Sequence, residues 1–300
     1  MKSCFCNLLA CALLFSLSVA PQMVNAGLRG EQGMADLLEK VRDELGQPGE
    51  ENQFYLKAER KHHVDSGEAA IYINHSVAEL SAALGSSVRW CEILPLHMNV
   101  KACTYEASGD SLTLYLGRKF YQDPDDAYQI QYRFKSNTGD NYFSAEALAD
   151  EGPLGTSDYH IEIEAIPSSA ESDQSFLRIF VSNHQSWLSS KAMDVYLATN
   201  GADKQGVSIT GYSDAGEPIY SSGALAVAER NLLRYYFAFD AYFDSLEIEE
   251  SGQRHENQLN SWFDKTEAYP QLHELEKKEY LDEKRHERRN QESLQAAVDQ

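Results

Sequence analysis

The most regular pattern in this 300-residue chain falls at residues 223–246, GALAVAERNLLRYYFAFDAYFDSL. Ala228, Leu232, Tyr236, Phe239 and Phe243 recur there at three- and four-residue steps, which places them on one face of a long helix. The chain before it alternates apolar and polar residues in short runs. Strands are predicted over 53–59, 68–74, 99–106, 111–119, 127–135, 141–149, 159–165 and 175–182. The links Ser108-Gly109-Asp110, Asn137-Thr138-Gly139-Asp140 and Glu151-Gly152-Pro153 are turn-rich and short, so neighbouring strands should pair antiparallel. Short helices are predicted over 76–84 and 191–197, and 87–96 reads as a helical or irregular piece broken at Pro95. An earlier amphipathic helix spans 31–45, with Met34, Leu37, Leu38, Val41 and Leu45 on one face and Gln47-Pro48-Gly49 as its stop. A late helix with a broad apolar face must be buried, and the strand run is the surface that can bury it. The expected fold is therefore α+β: a curved antiparallel sheet wrapped around a long C-terminal helix. That arrangement often encloses a cavity, which points to a binding protein.

The N-terminus changes the picture of where the chain acts. Lys2, a nearly continuous apolar run over 8–19 and Val24-Asn25-Ala26 read as a secretory signal peptide over 1–26, leaving a mature chain from Gly27 in the periplasm or outside the cell. Leu8-Leu9-Ala10-Cys11 resembles a lipobox, but only seven residues precede it, too few for a charged start plus an apolar core. Removal of residues 1–26 takes Cys4, Cys6 and Cys11 with it. Cys91 and Cys103 remain, either as a disulfide or as two buried free thiols. A net charge of −21 argues against nucleic acid and against docking to anionic headgroups. No later segment reaches 18 continuous apolar residues, so no transmembrane segment is expected after cleavage. The domain plan is a signal peptide (1–26), an N-terminal helix (27–50), a globular domain (51–247) and a tail (248–300). The tail is rich in Glu, Lys and Arg over 272–300, reads as a solvated helix or a partly disordered segment, and is a candidate surface for a protein partner.

The long helix also carries Glu229, Arg230, Asn231 and Arg234. Arg230 and Arg234 stand one turn apart and could clamp a carboxylate or phosphate, with Asn231 adding an amide contact. The alternative is a structural network in which Glu229 or a strand carboxylate pairs with them. Trp90, Tyr105, Tyr115, Tyr132, Tyr159, Phe180, Tyr196, Tyr235 and Phe239 either line a cavity or pack a core. Metal chemistry finds little support. His62 and His63 are adjacent on an expected strand and so face opposite ways; His160 and Glu162 share a face but lack a third ligand; His255, His273 and His286 fall in the charged tail. HExxH, GxSxG and phosphate-loop patterns are missing, and the glycines of 151–159 read as a tight backbone path. No catalytic residue, metal or cofactor is expected.

Several patches carry a resemblance: Arg89-Trp90-Cys91, Leu94-Pro95-Leu96-His97, Val100-Lys101-Ala102-Cys103, Gly152-Pro153-Leu154-Gly155-Thr156 with Asp158-Tyr159, Tyr196-Leu197-Ala198-Thr199, and Glu229-Arg230-Asn231 with Arg234-Tyr235-Tyr236. Together with the element order they resemble the START-like (SRPBCC) helix-grip superfamily, in particular a bacterial exported subgroup, over residues 53–246. The superfamily hosts lipid and sterol carriers, hormone receptors, aromatase/cyclases and oxygenase domains, so the resemblance implies an apolar ligand cavity and little more. It makes Trp90, Tyr115, Tyr132, Tyr159, Tyr196, Arg230, Asn231, Arg234 and Tyr235 the candidate ligand contacts. Periplasmic binding or transport of a hydrophobic molecule, foremost a lipid, ranks first. A non-enzymatic envelope scaffold with a filled cavity ranks second, and a cyclase- or hydrolase-type enzyme third.

Overall fold

A computed structural model describes residues 29–46, 54–169, 173–199 and 201–300. The signal-peptide pattern and the Gln47-Pro48-Gly49 stop lie outside them. Eight strands form one antiparallel sheet: β1 (Tyr55–Lys61), β2 (Val64–Ile73), β3 (Val100–Tyr105), β4 (Ser111–Leu116), β5 (Tyr128–Thr138), β6 (Phe143–Glu151), β7 (Ser157–Pro167) and β8 (Ser175–His184). Their spatial order is β1-β2-β8-β7-β6-β5-β4-β3. The chain crosses from β2 to the far edge through two short helices, α1 being the N-terminal helix Gly30–Leu45 and the crossing pair being α2 (Val77–Leu84) and α3 (Ser87–Ile93). Ser76 opens α2 with a capping box, its hydroxyl taking the Glu79 N–H while the Glu79 carboxylate takes its own.

Alternation sets the two faces of the sheet. On β5, Ile130, Tyr132 and Phe134 are buried while Gln129, Gln131 and Arg133 are exposed. The buried face holds the long helix, α5 (Gly223–Phe243). Leu232, Leu233, Phe237 and Phe239 pack there with Trp90, Phe134, Ala147, Ile163 and Leu177. At Gly67 a β-carbon would lie 3.2 Å from Leu232, so a residue with no side chain lets β2 approach α5 closely. The protein is a helix-grip α+β fold. Helix α1 covers the opposite face, where Met34, Val41 and Leu45 meet Tyr55, Ala70, Ile166 and Phe176.

Three features differ from the sequence expectation. Between α4 (Trp187–Ala198), which contains the helix expected over 191–197, and α5 the chain inserts an unpredicted hairpin, β9 (Ile209–Tyr212) with β10 (Pro218–Tyr220). His62 and His63 are turn residues joining β1 to β2, with φ of 52° and 63°, so the strand argument about their faces does not apply. The tail is ordered as α6 (Ser251–Glu267) and α7 (Lys277–Val298), and it is not solvated all round. Leu259, Trp262 and Phe263 of α6 join the main core, as does Tyr280 of α7.

Helix α7 runs along β3, the edge strand. Lys284 donates to the carbonyls of His97 and Val100, and Glu287 receives Lys101 at 2.7 Å. One turn on, Gln291 accepts the Cys103 N–H and donates to the Cys91 carbonyl. Gln295 accepts the Tyr105 N–H and donates to the Tyr105 carbonyl. The glutamine amides thus complete hydrogen bonds that a ninth strand would make, and the edge is closed. Cys91 and Cys103 are joined as a disulfide, with Cα atoms 4.9 Å apart, tying α3 to β3.

Candidate functional site

The middle of α5, from Glu229 to Tyr235, defines the site. Glu229 does not neutralise the arginines beside it. Its carboxylate accepts the N–H groups of Val207 and Ser208 and the Ser221 hydroxyl, pinning the segment before β9. Arg230 and Arg234 turn instead to Glu274, on the link between α6 and α7. Arg234 Nη2 also donates to the Leu272 carbonyl at 2.8 Å. Two lysines from elsewhere converge on the same carboxylate, Lys119 at 2.7 Å and Lys204 at 3.1 Å. Burial alone would raise the Glu274 pKa, but Lys119, Arg230 and Arg234 outweigh it and hold it at about 2. Burial and the neighbouring Arg230 bring Arg234 down to about 10, which still leaves it charged at neutral pH.

Donors outnumber acceptors around this stretch of the helix. The Nε atoms of Arg230 and Arg234 are buried and have no hydrogen-bond partner. His97 contributes a third orphan. Its Nδ1 accepts the Asn99 N–H, which places the ring proton on Nε2, and that buried Nε2 is unpartnered. Burial, with Arg234 and three lysines nearby, pushes the His97 pKa well below its ordinary value, so the ring is neutral. The imidazole stacks on Tyr235 with centroids 4.4 Å apart. Tyr132 and Tyr159 continue the aromatic wall, their rings 6.4 Å apart. Burial and the adjacent Tyr159 push the Tyr235 hydroxyl up to about 12.

The structure therefore brings together Arg230, Arg234, Tyr235, Tyr132 and Tyr159 from the expected contacts. Tyr196, on α4, lies close enough to bear electrostatically on Arg234. Asn231 is half-buried, one step round α5 from Arg230. Two candidates fall elsewhere. Trp90 is core: its Nε1 donates to the Leu84 carbonyl and its ring is wedged against Phe134 and Phe239. Tyr115 pairs with Gln129 across the strands, on the face opposite Leu114, and strand alternation turns it away from α5. Lys119, Lys204, His97 and Glu274 were not singled out by sequence reasoning. They come from loops and a link far apart in the chain, and no spacing rule connects them.

A second ionic cluster lies on the outer face. Arg178 on β8 reaches Glu68 at 2.6 Å, Glu162 at 2.8 Å and Glu164 at 2.6 Å. His160 lies 3.0 Å from Glu162 and 3.3 Å from Glu146, while Arg29 and Lys135 bind Glu68 and Glu146. Among the described residues, no group of three or more His, Cys, Asp or Glu is arranged to hold a metal ion. Among the described residues, no helix is long and apolar enough to cross a membrane.

No family model matches the sequence, and no curated protein matches it. Solved structures do show likeness at low identity. The Zhui aromatase/cyclase from Streptomyces sp. R1128 matches with a TM-score of 0.31 and 9% identity, covering 68% of this chain and 94% of its own. Norcoclaurine synthase from Thalictrum flavum gives 0.30 and 11%, over 52% of this chain and 87% of its own. Human StAR-related lipid transfer protein 5 gives 0.28 and 11%, over 56% and 86%. The fold assignment rests on the sheet order and the gripped helix described above, and these scores add no argument about activity.

Proposed function

We propose that the protein binds a hydrophobic small molecule of the lipid class between α5 and the inner face of the sheet, and does so outside the cytoplasm as a START-like protein of the bacterial exported kind. One observation carries the reading: three buried N–H groups, on Arg230, Arg234 and His97, have no acceptor and stand beside an aromatic wall. A buried donor left unpaired costs about 1–3 kcal/mol. Three orphan donors from two separate elements, the middle of α5 and the residue after the Leu94–Leu96 turn, face one another here, which packing alone does not require. A ligand with an oxygen-bearing end supplies the acceptors, and its apolar body gains about 25 cal/mol for each Å² withdrawn from water. The Cys91–Cys103 disulfide supports an oxidising compartment. The scaffold reading relies on a free charged tail, but α7 commits one face to β3.

The test is native mass spectrometry on mature protein from its own cells, with extraction of whatever leaves on denaturation. A stoichiometric amphiphile is expected. An apo mass that persists after incubation with total lipid extract would overturn the reading.

A further inference from the structure

The two ionic clusters are built on opposite principles. On the outer face, four carboxylates (Glu68, Glu146, Glu162, Glu164) meet four basic groups (Arg29, Lys135, His160, Arg178), so charge is matched. At α5, four cations (Lys119, Lys204, Arg230, Arg234) share the single carboxylate of Glu274. Lys119 and Lys204 are 30% and 34% exposed and so partly solvated, but Arg230 and Arg234 are buried and share one carboxylate. Buried charge is tolerated when it is paired, so the buried part of the cluster is one anion short. The unpartnered Nε atoms of Arg230 and Arg234, both on side chains only 2% exposed, show the same deficit in hydrogen bonds.

Glu274 is an outsider to the grip. It belongs neither to the sheet nor to α5, but to the link that follows the 3₁₀ turn Pro270–Leu272. That link is held to α5 by Glu274, by the Arg234 bond to the Leu272 carbonyl, and by apolar packing of the buried Leu272 and of Tyr269 against Phe237. The cavity bounded by Glu274, Met98, Leu272, Trp262 and Tyr280 is about 10 Å³, room for no more than a water. An incoming molecule can reach the cations from this side only if the link moves.

We propose that Glu274 holds the place of an acidic ligand head group, and that residues 268–276 form a stopper which the head group displaces. The inference rests on the binding reading above and names its ligand class: an amphiphile whose polar end is a single carboxylate or phosphate ester. Arg230 and Arg234 offer paired N–H groups suited to either oxyanion, and the lysines add charge without fixing geometry. Binding and stopper release are then linked. Whatever weakens the Glu274 contact must strengthen the head group by the same factor, ordinarily about 5- to 150-fold for coupled sites.

The experiment compares full mature protein with Glu274→Gln, using oleate, oleoyl lysophosphatidate and uncharged monoolein as probes. Affinity is read by calorimetry, and hydrogen exchange is read over residues 268–276. At least one acidic probe should bind the wild type, speed exchange in the link, and bind E274Q about tenfold more tightly, within the range expected of coupled sites. Monoolein should gain nothing from the substitution. Equal acidic-probe affinity for both proteins with unchanged link exchange would overturn the stopper while leaving the binding reading intact. Equal gains for monoolein would also overturn it, since head-group charge would then be irrelevant. Failure of all three probes on both proteins would remove the binding reading and the stopper together. Should E274Q not fold, the wild-type exchange response to the acidic probes decides alone.

Discussion

Arg178 is the residue on which the outer face depends. Burial opposes its charge, but Glu68 and Glu162 more than compensate and raise its pKa. Replacing it with methionine leaves three buried carboxylates facing one another. Arg178→Met should cost about 3–5 kcal/mol at neutral pH, the range for stranding a buried partner, as read by urea denaturation. The same cluster sets a pH window. Burial pushes Glu162 up, but hydrogen bonds from His160 and Arg178 hold it below the usual carboxylate range. Its stabilisation is present above the unfolded carboxylate value, near pH 4.5, and is lost as pH falls through the folded value. His160 runs the other way. Burial opposes its charge, but Glu162 and Glu146 raise its pKa. Its stabilisation is present below the unfolded imidazole value, near 6.5, and fades as pH rises through the folded value. His160→Gln should therefore be more destabilising at pH 5.5 than at pH 8.5. Equal urea midpoints shifts at the two pH values would show that the imidazole is never charged in the fold.

Among the elements, α7 shows most clearly what a sequence does and does not display. Its buried face is Tyr280, Lys284, Glu287 and Gln291, so three of four buried positions are polar and no apolar stripe betrays it. The face is satisfied by the backbone of β3, a partner some 190 residues away in the chain. Gln291→Ala should strand the Cys103 N–H and the Cys91 carbonyl and cost about 1–3 kcal/mol in urea melts. Faster amide exchange at Cys103 should accompany it. Removing residues 272–300 would open the whole edge, so such a deletion reports on folding before it reports on partners. By contrast, the strands, α1 and α5 were legible because each buries an apolar face with its own period. Helix α6 was legible in principle, since Leu259, Trp262, Phe263 and Thr266 follow helical spacing, but the charged composition around them masked it. The site was legible by half. Arg230 and Arg234 stand out within a hydrophobic helix, whereas Lys119, Lys204 and Glu274 acquire meaning only when the chain is folded. Tyr115 stands apart from the cluster, since aromatic content alone does not tell which side of a strand a ring takes.

At the scale of the molecule, the Cys91–Cys103 bridge joins the crossing helices to the edge strand across a separation of 12 residues. Closing a loop of that size contributes about 3 kcal/mol in the chain-entropy account. A Cys91→Ser/Cys103→Ser double variant should melt at a lower temperature than the oxidised protein, and reductant should shift the wild type but leave the variant unmoved. The helix that closes the sheet is also made after every strand of that sheet. Synthesis proceeds at about 5–20 residues per second, so β3 and β4 emerge many seconds before Lys284, Gln291 and Gln295 can reach them. During that interval the newborn sheet offers an open row of amides and carbonyls to any neighbouring chain. Contacts spanning so much sequence are slow to close, and a chaperone or holding factor has most to protect in this protein at that moment.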